Sequence, residues 1–386
     1  MRVLALLFVS AIAAVGLFPG LFGPTSFAPL PCCSEAGGFQ VTFAMADADT
    51  VYLRPGTTDQ ENRQIGQLEM KLEKLRERLQ IPGFSAAIVK NQEVLWARGF
   101  GCADIASGRP ATPHTPYSLA SLTKPVAATV FLQLVEEGLI DLDDPIEDHG
   151  ITLNSRGTVL VKHLLSHTSH GVPGRSYRYD GDRFGRIDQI MESVTGQTFA
   201  DLLVERILGP LATIDTMPMP VENDRDAYDQ GRGEPAYQGV WDRLAKPYVL
   251  VKGYGNVLGN YVSYFGSAAG LISSVMDYAR FDAAIDRNQF VSEKTQELAW
   301  TPFVSNGGRA LPYGLGWFVQ SRDGLMLVWH YGYWDCTSTL VVKVPERDLT
   351  FLLFANSDRL SSSFRLGAGD VCRSPAARAF LDVFVE

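Results

Sequence analysis

Histidine and cysteine are scarce in this chain, and each scarcity excludes some chemistry. Of 386 residues, six are histidine and five are cysteine. Cys32, Cys33, Cys102, Cys336 and Cys372 form no Cys-x-x-Cys, and their spacing fits neither a zinc site nor a dense disulfide framework. Cleavage beyond Cys33 would leave three cysteines, and so at least one free thiol. No His-Glu-x-x-His occurs, but His163, His167 and His170 stand four and three apart. On a helix those spacings would line up ligands, which makes a metal site the competing chemistry. Gly-x-Ser-x-Gly is also missing. The nearest stretch, Gly83-Phe-Ser-Ala-Ala87, lies in an expected strand with no helix after it, against an α/β-hydrolase. Gly253-Tyr-Gly255 and Gly259 do not lead from a strand into a helix as a dinucleotide loop requires. Positive charge is not in excess either. The net charge of −9 argues against nucleic acid or an anionic membrane as the main partner.

Hydrophobic residues make up 46% and charged residues 20%, an ordinary globular composition on a length that suits a two-lobed enzyme. Arg2 precedes an apolar run from Val3 to Phe18, broken by Pro19-Gly20. This reads as a targeting segment, so the chain is expected to be exported: periplasmic, secreted or membrane-anchored. Ala44-Met-Ala46 suits a cleavage site and Leu30-Pro-Cys32 loosely suits lipidation. A cleaved signal, a lipid anchor and an uncleaved anchor all stay open. Residues 1–58 read as leader and linker, and 59–386 as a single catalytic domain.

Within 59–386, the spacing of Ile65, Leu68, Leu72, Leu75 and Leu79 predicts an amphipathic helix over Asp59 to Gln80. Its stripe packs on the chain's own core or forms a coiled-coil seam. Phe84 to Lys90 and Glu93 to Gly99 read as a hairpin turning at Asn91-Gln92. Four β-rich runs follow Tyr313, and Ser374 to Val385 closes the chain as a helix. The stretch Pro218 to Tyr264 reads as long ordered loops. The fold class is therefore α+β: an antiparallel sheet built from both chain ends and flanked by helices, with a mostly helical lobe inserted. The α/β lobe covers about 59–120 and 311–386, and the helical, loop-rich lobe about 121–310.

The chemistry centres on Tyr117-Ser-Leu-Ala-Ser-Leu-Thr-Lys-Pro125. Ser121 and Lys124 form Ser-x-x-Lys at the head of an apolar helical run, three residues apart and so on one face. A serine hydroxyl needs a base, and a buried lysine with a lowered pKa can be one.

Further segments follow in order: Ile81-Pro-Gly-Phe-Ser-Ala-Ala-Ile-Val89, Gly99-Phe-Gly-Cys-Ala-Asp104, Leu164-Leu-Ser-His-Thr-Ser169, Val194-Thr-Gly196, Ala269-Gly-Leu-Ile-Ser-Ser274, Tyr313-Gly-Leu-Gly-Trp317 and His330-Tyr-Gly332. The set resembles the serine β-lactamase-related family of class C β-lactamases, D-alanyl-D-alanine carboxypeptidases and family VIII-type esterases. The resemblance implies a β-lactamase/transpeptidase-like fold. It also implies a serine hydrolase forming an acyl-enzyme on a small ester, amide or peptide, with no metal and no cofactor.

Carried over residue by residue, it implies Ser121 as nucleophile with Lys124, Tyr179 and His330 as catalytic partners. Tyr177 competes with Tyr179 for the motif tyrosine. The implied oxyanion hole is the backbone N–H of Ser121 and Tyr333, and Tyr331, Gly332 and Gly181 line the substrate site. His330 would present a polar or cationic group to the substrate or the Tyr179 hydroxyl, and Gly332 would let substrate approach the strand edge. Two departures stand out: Gly181 replaces the asparagine of Tyr-x-Asn, and His170 replaces a usual glycine. The first shifts the expected activity from dedicated β-lactamase toward esterase or D-amino-acid-type peptidase. A weak or inactive member that binds peptidoglycan-like ligands or serves assembly is the alternative.

Overall fold

The computed structural model describes residues 50–386. The N-terminal apolar run, both candidate processing stretches, Cys32 and Cys33 lie outside the described residues. Helix α1 (Asp59–Leu79) opens on a capping box. The Thr58 hydroxyl accepts from the Glu61 N–H at 3.2 Å, and the Glu61 carboxylate accepts from the Thr58 N–H at 2.9 Å. Gln80, in the left-handed region at φ 53°, ends the helix just before Pro82. The stripe residues Ile65, Leu68, Leu72 and Leu75 are buried in the chain's own core, beside helix α5 (Pro375–Phe384). The stripe is thus an internal packing face.

The main sheet joins both chain ends. Its strands are β1 (Val51–Leu53), β2 (Gly83–Lys90), β3 (Glu93–Asp104), β4 (Phe318–Arg322), β5 (Leu325–Trp334), β6 (Thr337–Val344) and β7 (Leu349–Ala355). They lie in the order β1-β3-β2-β7-β6-β5-β4, each pair antiparallel, and Arg109–Pro110 also pairs with β3. Asn91 and Gln92, both at positive φ, make the expected β2–β3 turn. Val51–Leu53, read from sequence as linker, instead pair with Trp96–Arg98.

Alternation along the central strands feeds two cores. Leu349, Phe351 and Leu353 of β7 face α1 and α5, whereas Leu352 and Phe354 face the helical lobe. That lobe includes α2 (Thr123–Glu136), α3 (Ile187–Thr195) and α4 (Val275–Asp286). The stretch read as loops from Pro218 to Tyr264 also holds helices Glu222–Asp229 and Pro235–Arg243 and the hairpin Tyr248–Val251 with Gly255–Leu258. These elements are short and partly exposed, so no long apolar period marks them in the sequence.

One buried ion cluster clamps α4 to the sheet. Lys343 of β6 donates to Asp282 at 2.5 Å, Asp286 at 3.0 Å and the Thr350 hydroxyl at 3.1 Å. Burial pushes the Asp282 carboxyl up to about 6 against the pull of Lys343. Burial opposes the Lys343 ammonium too, yet Asp282 and Asp286 hold its pKa above the usual lysine value. Asp282→Ala leaves the buried Lys343 ammonium only the partly exposed Asp286 as counter-ion, so it is expected to lower unfolding stability by about 3 kcal/mol in urea titration. Labelling at Ser121 should be unchanged below the unfolding transition. A stability loss under about 1 kcal/mol would contradict the clamp.

Candidate active site

Ser121 lies in the 3₁₀ turn Ala120–Leu122 that leads into α2. The residue before it, Ala120, has φ 46°, a left-handed conformation that costs an alanine about 1 kcal/mol or more. The surroundings hold the turn in place. Leu119 N–H donates to the Leu271 carbonyl at 2.8 Å, and the Thr339 hydroxyl donates to the Leu119 carbonyl at 2.9 Å. The Thr337 hydroxyl donates to the Ser118 carbonyl at 2.8 Å. Thr123 donates its hydroxyl to the Ala120 carbonyl at 2.7 Å and accepts from the Leu271 N–H at 3.0 Å. The Ser121 turn is therefore stitched to strand β6 and to the segment Leu271–Ser273.

Lys124 is fully buried on the first turn of α2. Its Nζ donates to Ser121 Oγ at 2.9 Å and to the Ala268 carbonyl at 2.7 Å. The ammonium also sits 5.1 Å over the Tyr179 ring and 5.5 Å over the Phe184 ring. Burial lowers its pKa to about 7 despite the opposing pull of Asp180 and Asp182. The Ala268 loop is held by Asp188 of α3, which accepts from the Ser267 N–H at 3.0 Å. Burial raises the Asp188 carboxyl to about 6. Gly270 permits this loop: its φ is 102°, and a Cβ there would fall 2.1 Å from the Tyr264 carbonyl oxygen.

Tyr179 stands beside Lys124, and its hydroxyl is fully buried. Burial, and then Tyr331, raise its pKa well above 10, while Ser121 pulls weakly the other way. Tyr179 is therefore a neutral phenol. The Tyr177 hydroxyl donates instead to the Gly367 carbonyl at 3.0 Å. Gly181 stands where a side chain would aim at the lysine, since a Cβ there would lie 3.8 Å from Lys124 Nζ. Next to it, Asp180 accepts from the Arg183 N–H at 3.0 Å and pairs with His170 at 2.7 Å. That pairing gives the otherwise unusual His170 a structural partner.

His330 behaves differently from the sequence expectation. Its Nδ1–H donates to the Tyr331 carbonyl at 2.8 Å, which leaves Nε2 as an acceptor from the Tyr313 hydroxyl at 2.9 Å. Burial, and then Lys124, keep its pKa well below the usual histidine value. Both nitrogens are engaged and the ring is neutral, so His330 presents no free or cationic group to a substrate. Gly332 also has a second reason to be glycine. A Cβ would come within 2.1 Å of the Leu119 carbonyl oxygen and 2.2 Å of Thr339 Oγ1, so its bare face admits the Ser121 turn. Strand β4 pairs with β5 only from Leu325 to Trp329, and Tyr331, Gly332 and Tyr333 lie beyond it. Tyr333 and Trp334 are 44% and 47% exposed there.

The Beta-lactamase family model matches residues 68–369. This chain belongs to the Beta-lactamase family. Among curated relatives, it is 26% identical to "Penicillin-binding protein 4*" of Bacillus subtilis (strain 168) over 75% of this chain and 71% of that one. It is 25% identical to "D-aminopeptidase" of Brucella canis over 66% of this chain, spanning about half (53%) of that protein. Two solved structures share the fold. The octameric penicillin-binding protein homologue from Pyrococcus abyssi aligns with TM-score 0.69 at 24% identity, covering 82% of this chain and 77% of that one. EstCE1, described as a hydrolase with promiscuous acyltransferase activity, aligns with TM-score 0.62 at 14% identity over 83% and 98%.

Within this Beta-lactamase-family fold the three spaced histidines do not converge. Helix Val161–Leu165 ends before His167, which itself has φ 53°. His163 accepts from the Leu160 N–H at 3.0 Å, and burial lowers its pKa to about 4. His170 serves Asp180, and His167 packs 4.3 Å from the Tyr179 ring and accepts from the Asp180 N–H at 3.2 Å. Among the described residues no group of three His, Cys, Asp or Glu side chains is placed to hold a metal. Cys336 and Cys372 are free thiols. Of the residues at the site, Tyr313, which bonds His330, was not singled out from the sequence, and His167, which packs on Tyr179, was read there only as a candidate metal ligand. Both lie in quoted motif segments, and those segments were the signal for them.

Proposed function

We propose that this chain hydrolyses esters or amides through an acyl-enzyme on Ser121. The observation that carries the reading is the buried Lys124 amine, 2.9 Å from Ser121 Oγ with a pKa lowered to about 7. Near neutral pH a large fraction of this lysine is an unprotonated amine, as a general base needs. Lys124 takes the Ser121 proton as Oγ attacks the carbonyl carbon. The developing oxyanion rests on the N–H groups of Ser121 and Tyr333, donors of a kind often worth about 3–4 kcal/mol. Tyr179, a neutral phenol beside Lys124, hands a proton to the leaving group and is reprotonated from Lys124. Water then attacks the acyl-serine by the reverse path and frees Ser121. Tyr331, Gly332 and Gly181 line the substrate's approach.

The substrate class follows from Gly181. A β-lactamase-type site wants an amide side chain aimed at the lysine and substrate, and here that position is bare. An ester or a D-amino-acid-type peptide is therefore favoured over a dedicated β-lactam, and the relatives named as a penicillin-binding protein and a D-aminopeptidase support the peptide half of that range. We also place the protein outside the cytoplasm, on the strength of its apolar N-terminal run. A short-chain p-nitrophenyl ester and a chromogenic cephalosporin, assayed side by side, test the reading. Turnover of the ester with little or none of the cephalosporin is expected. Equal turnover of both would make the site β-lactamase-like, and turnover of neither would favour a binding module.

A further inference from the structure

The acyl-transfer steps leave unused a side chain that touches both halves of the site. Tyr313 is fully buried. Its hydroxyl donates to His330 Nε2, and His330 Nδ1–H donates to the Tyr331 carbonyl, at 2.9 and 2.8 Å. That carbonyl belongs to the β5 edge that continues through Gly332, pressed on Leu119, to Tyr333. On its other side the Tyr313 ring meets His167 edge-on at 4.7 Å, and His167 lies 4.3 Å from Tyr179. The ring also packs on Phe318 at 4.7 Å and lies 6.4 Å from Tyr179.

A neutral imidazole has one donor and one acceptor, and its partners choose which nitrogen is which. The Tyr331 carbonyl can only accept, so the proton belongs on Nδ1. A tyrosine hydroxyl can give Nε2 its donor, and no water is needed in the buried cluster.

We infer that Tyr313 is a positioning residue: it locks His330 in the Nδ1–H tautomer, fixes the β5 edge from Tyr331 to Tyr333 against the Ser121 turn, and holds His167 against Tyr179. This rests on the acyl-transfer reading above. Without the hydroxyl, Nε2 is a buried acceptor with no donor, and the imidazole is free to change tautomer or rotate. The Tyr331 carbonyl then loses its partner. Misplacing oxyanion donors by a fraction of an ångström slows acylation without weakening ground-state binding to match.

Two variants cut different links. Tyr313→Phe keeps the ring packing and removes the hydroxyl. His330→Leu removes both the acceptor for the Tyr313 hydroxyl and the donor to the Tyr331 carbonyl. Phosphonate acylation of Ser121 and ester kinetics are measured for each variant and for the double variant. Nitrogen-15 NMR of His330 is recorded on wild type and Tyr313→Phe. Each single variant should lower kcat about 10–100-fold with KM little changed, and the double should be no slower than the slower single. The wild-type spectrum should show a protonated Nδ1 and an unprotonated, hydrogen-bonded Nε2, with that pattern changed in Tyr313→Phe. Wild-type acylation by Tyr313→Phe, losses that multiply in the double variant, or a protonated Nε2 in wild type would each overturn the inference. The NMR arm needs no activity. If wild type fails to label, the acyl-transfer reading falls while the tautomer lock is still decided.

Discussion

Ser121→Ala is expected to abolish ester hydrolysis, with kcat falling on the order of 10⁴–10⁶-fold, because no other group can take over the covalent step. Only the hydroxyl is lost, and Ser121 is partly exposed at the mouth of a turn whose own hydrogen bonds come from Leu119, Thr123, Thr337 and Thr339. The fold should therefore hold, with unfolding stability within about 1 kcal/mol of wild type. The variant loses an acceptor for Lys124, but the Ala268 carbonyl still holds the amine. Intact-protein mass spectrometry after a serine-directed phosphonate should show one adduct on wild type and none on Ser121→Ala. An adduct that persists would place the nucleophile elsewhere and sink the assignment.

Sequence made parts of this site legible for a physical reason. Ser121 and Lys124 are three residues apart, so local helical geometry alone brings them together. The sheet was legible too, because β2, β3, β6 and β7 are apolar runs bounded by turns such as Asn91-Gln92. The contacts between distant segments were not. His330 looked like a free polar group because nothing nearby in sequence shows that Tyr313 and Tyr331 use both its nitrogens. Gly332 reads as an opening for substrate, and nothing local shows that it also admits the carbonyl of Leu119, more than two hundred residues earlier. The strand Val51–Leu53 was hidden because a three-residue edge strand has no period to detect. These misses are pairings fixed by the folded backbone, information that local periodicity does not carry.

Lys124→Met should separate function from stability in opposite directions. Activity is expected to fall about 10³–10⁴-fold, because the base beside Ser121 is gone and a thioether cannot accept its proton. Stability is expected to rise. Lys124 has a pKa of about 7 in the folded protein against 10.5 for an ordinary lysine, so burial disfavours its charged form. Between those two values the unfolded chain binds more protons, so this lysine's contribution to stability improves as pH rises from about 7 toward 10.5. Below about 7 both states carry the proton and the full burial penalty applies, at about 1.4 kcal/mol per unit of the shift. Methionine fills a similar volume without that penalty, but it strands the Ala268 carbonyl, which costs about 1–3 kcal/mol. The net gain should be about 2 kcal/mol at pH 7 and should shrink toward pH 10, as read by urea titration at several pH values. In wild type the same titration should set the acid limb of kcat/KM, which rises through pH of about 7 as Lys124 loses its proton. A flat profile across that range, or a Lys124→Met variant that is less stable than wild type at pH 6, would mean that the lysine is held as a paired cation and that another group is the base.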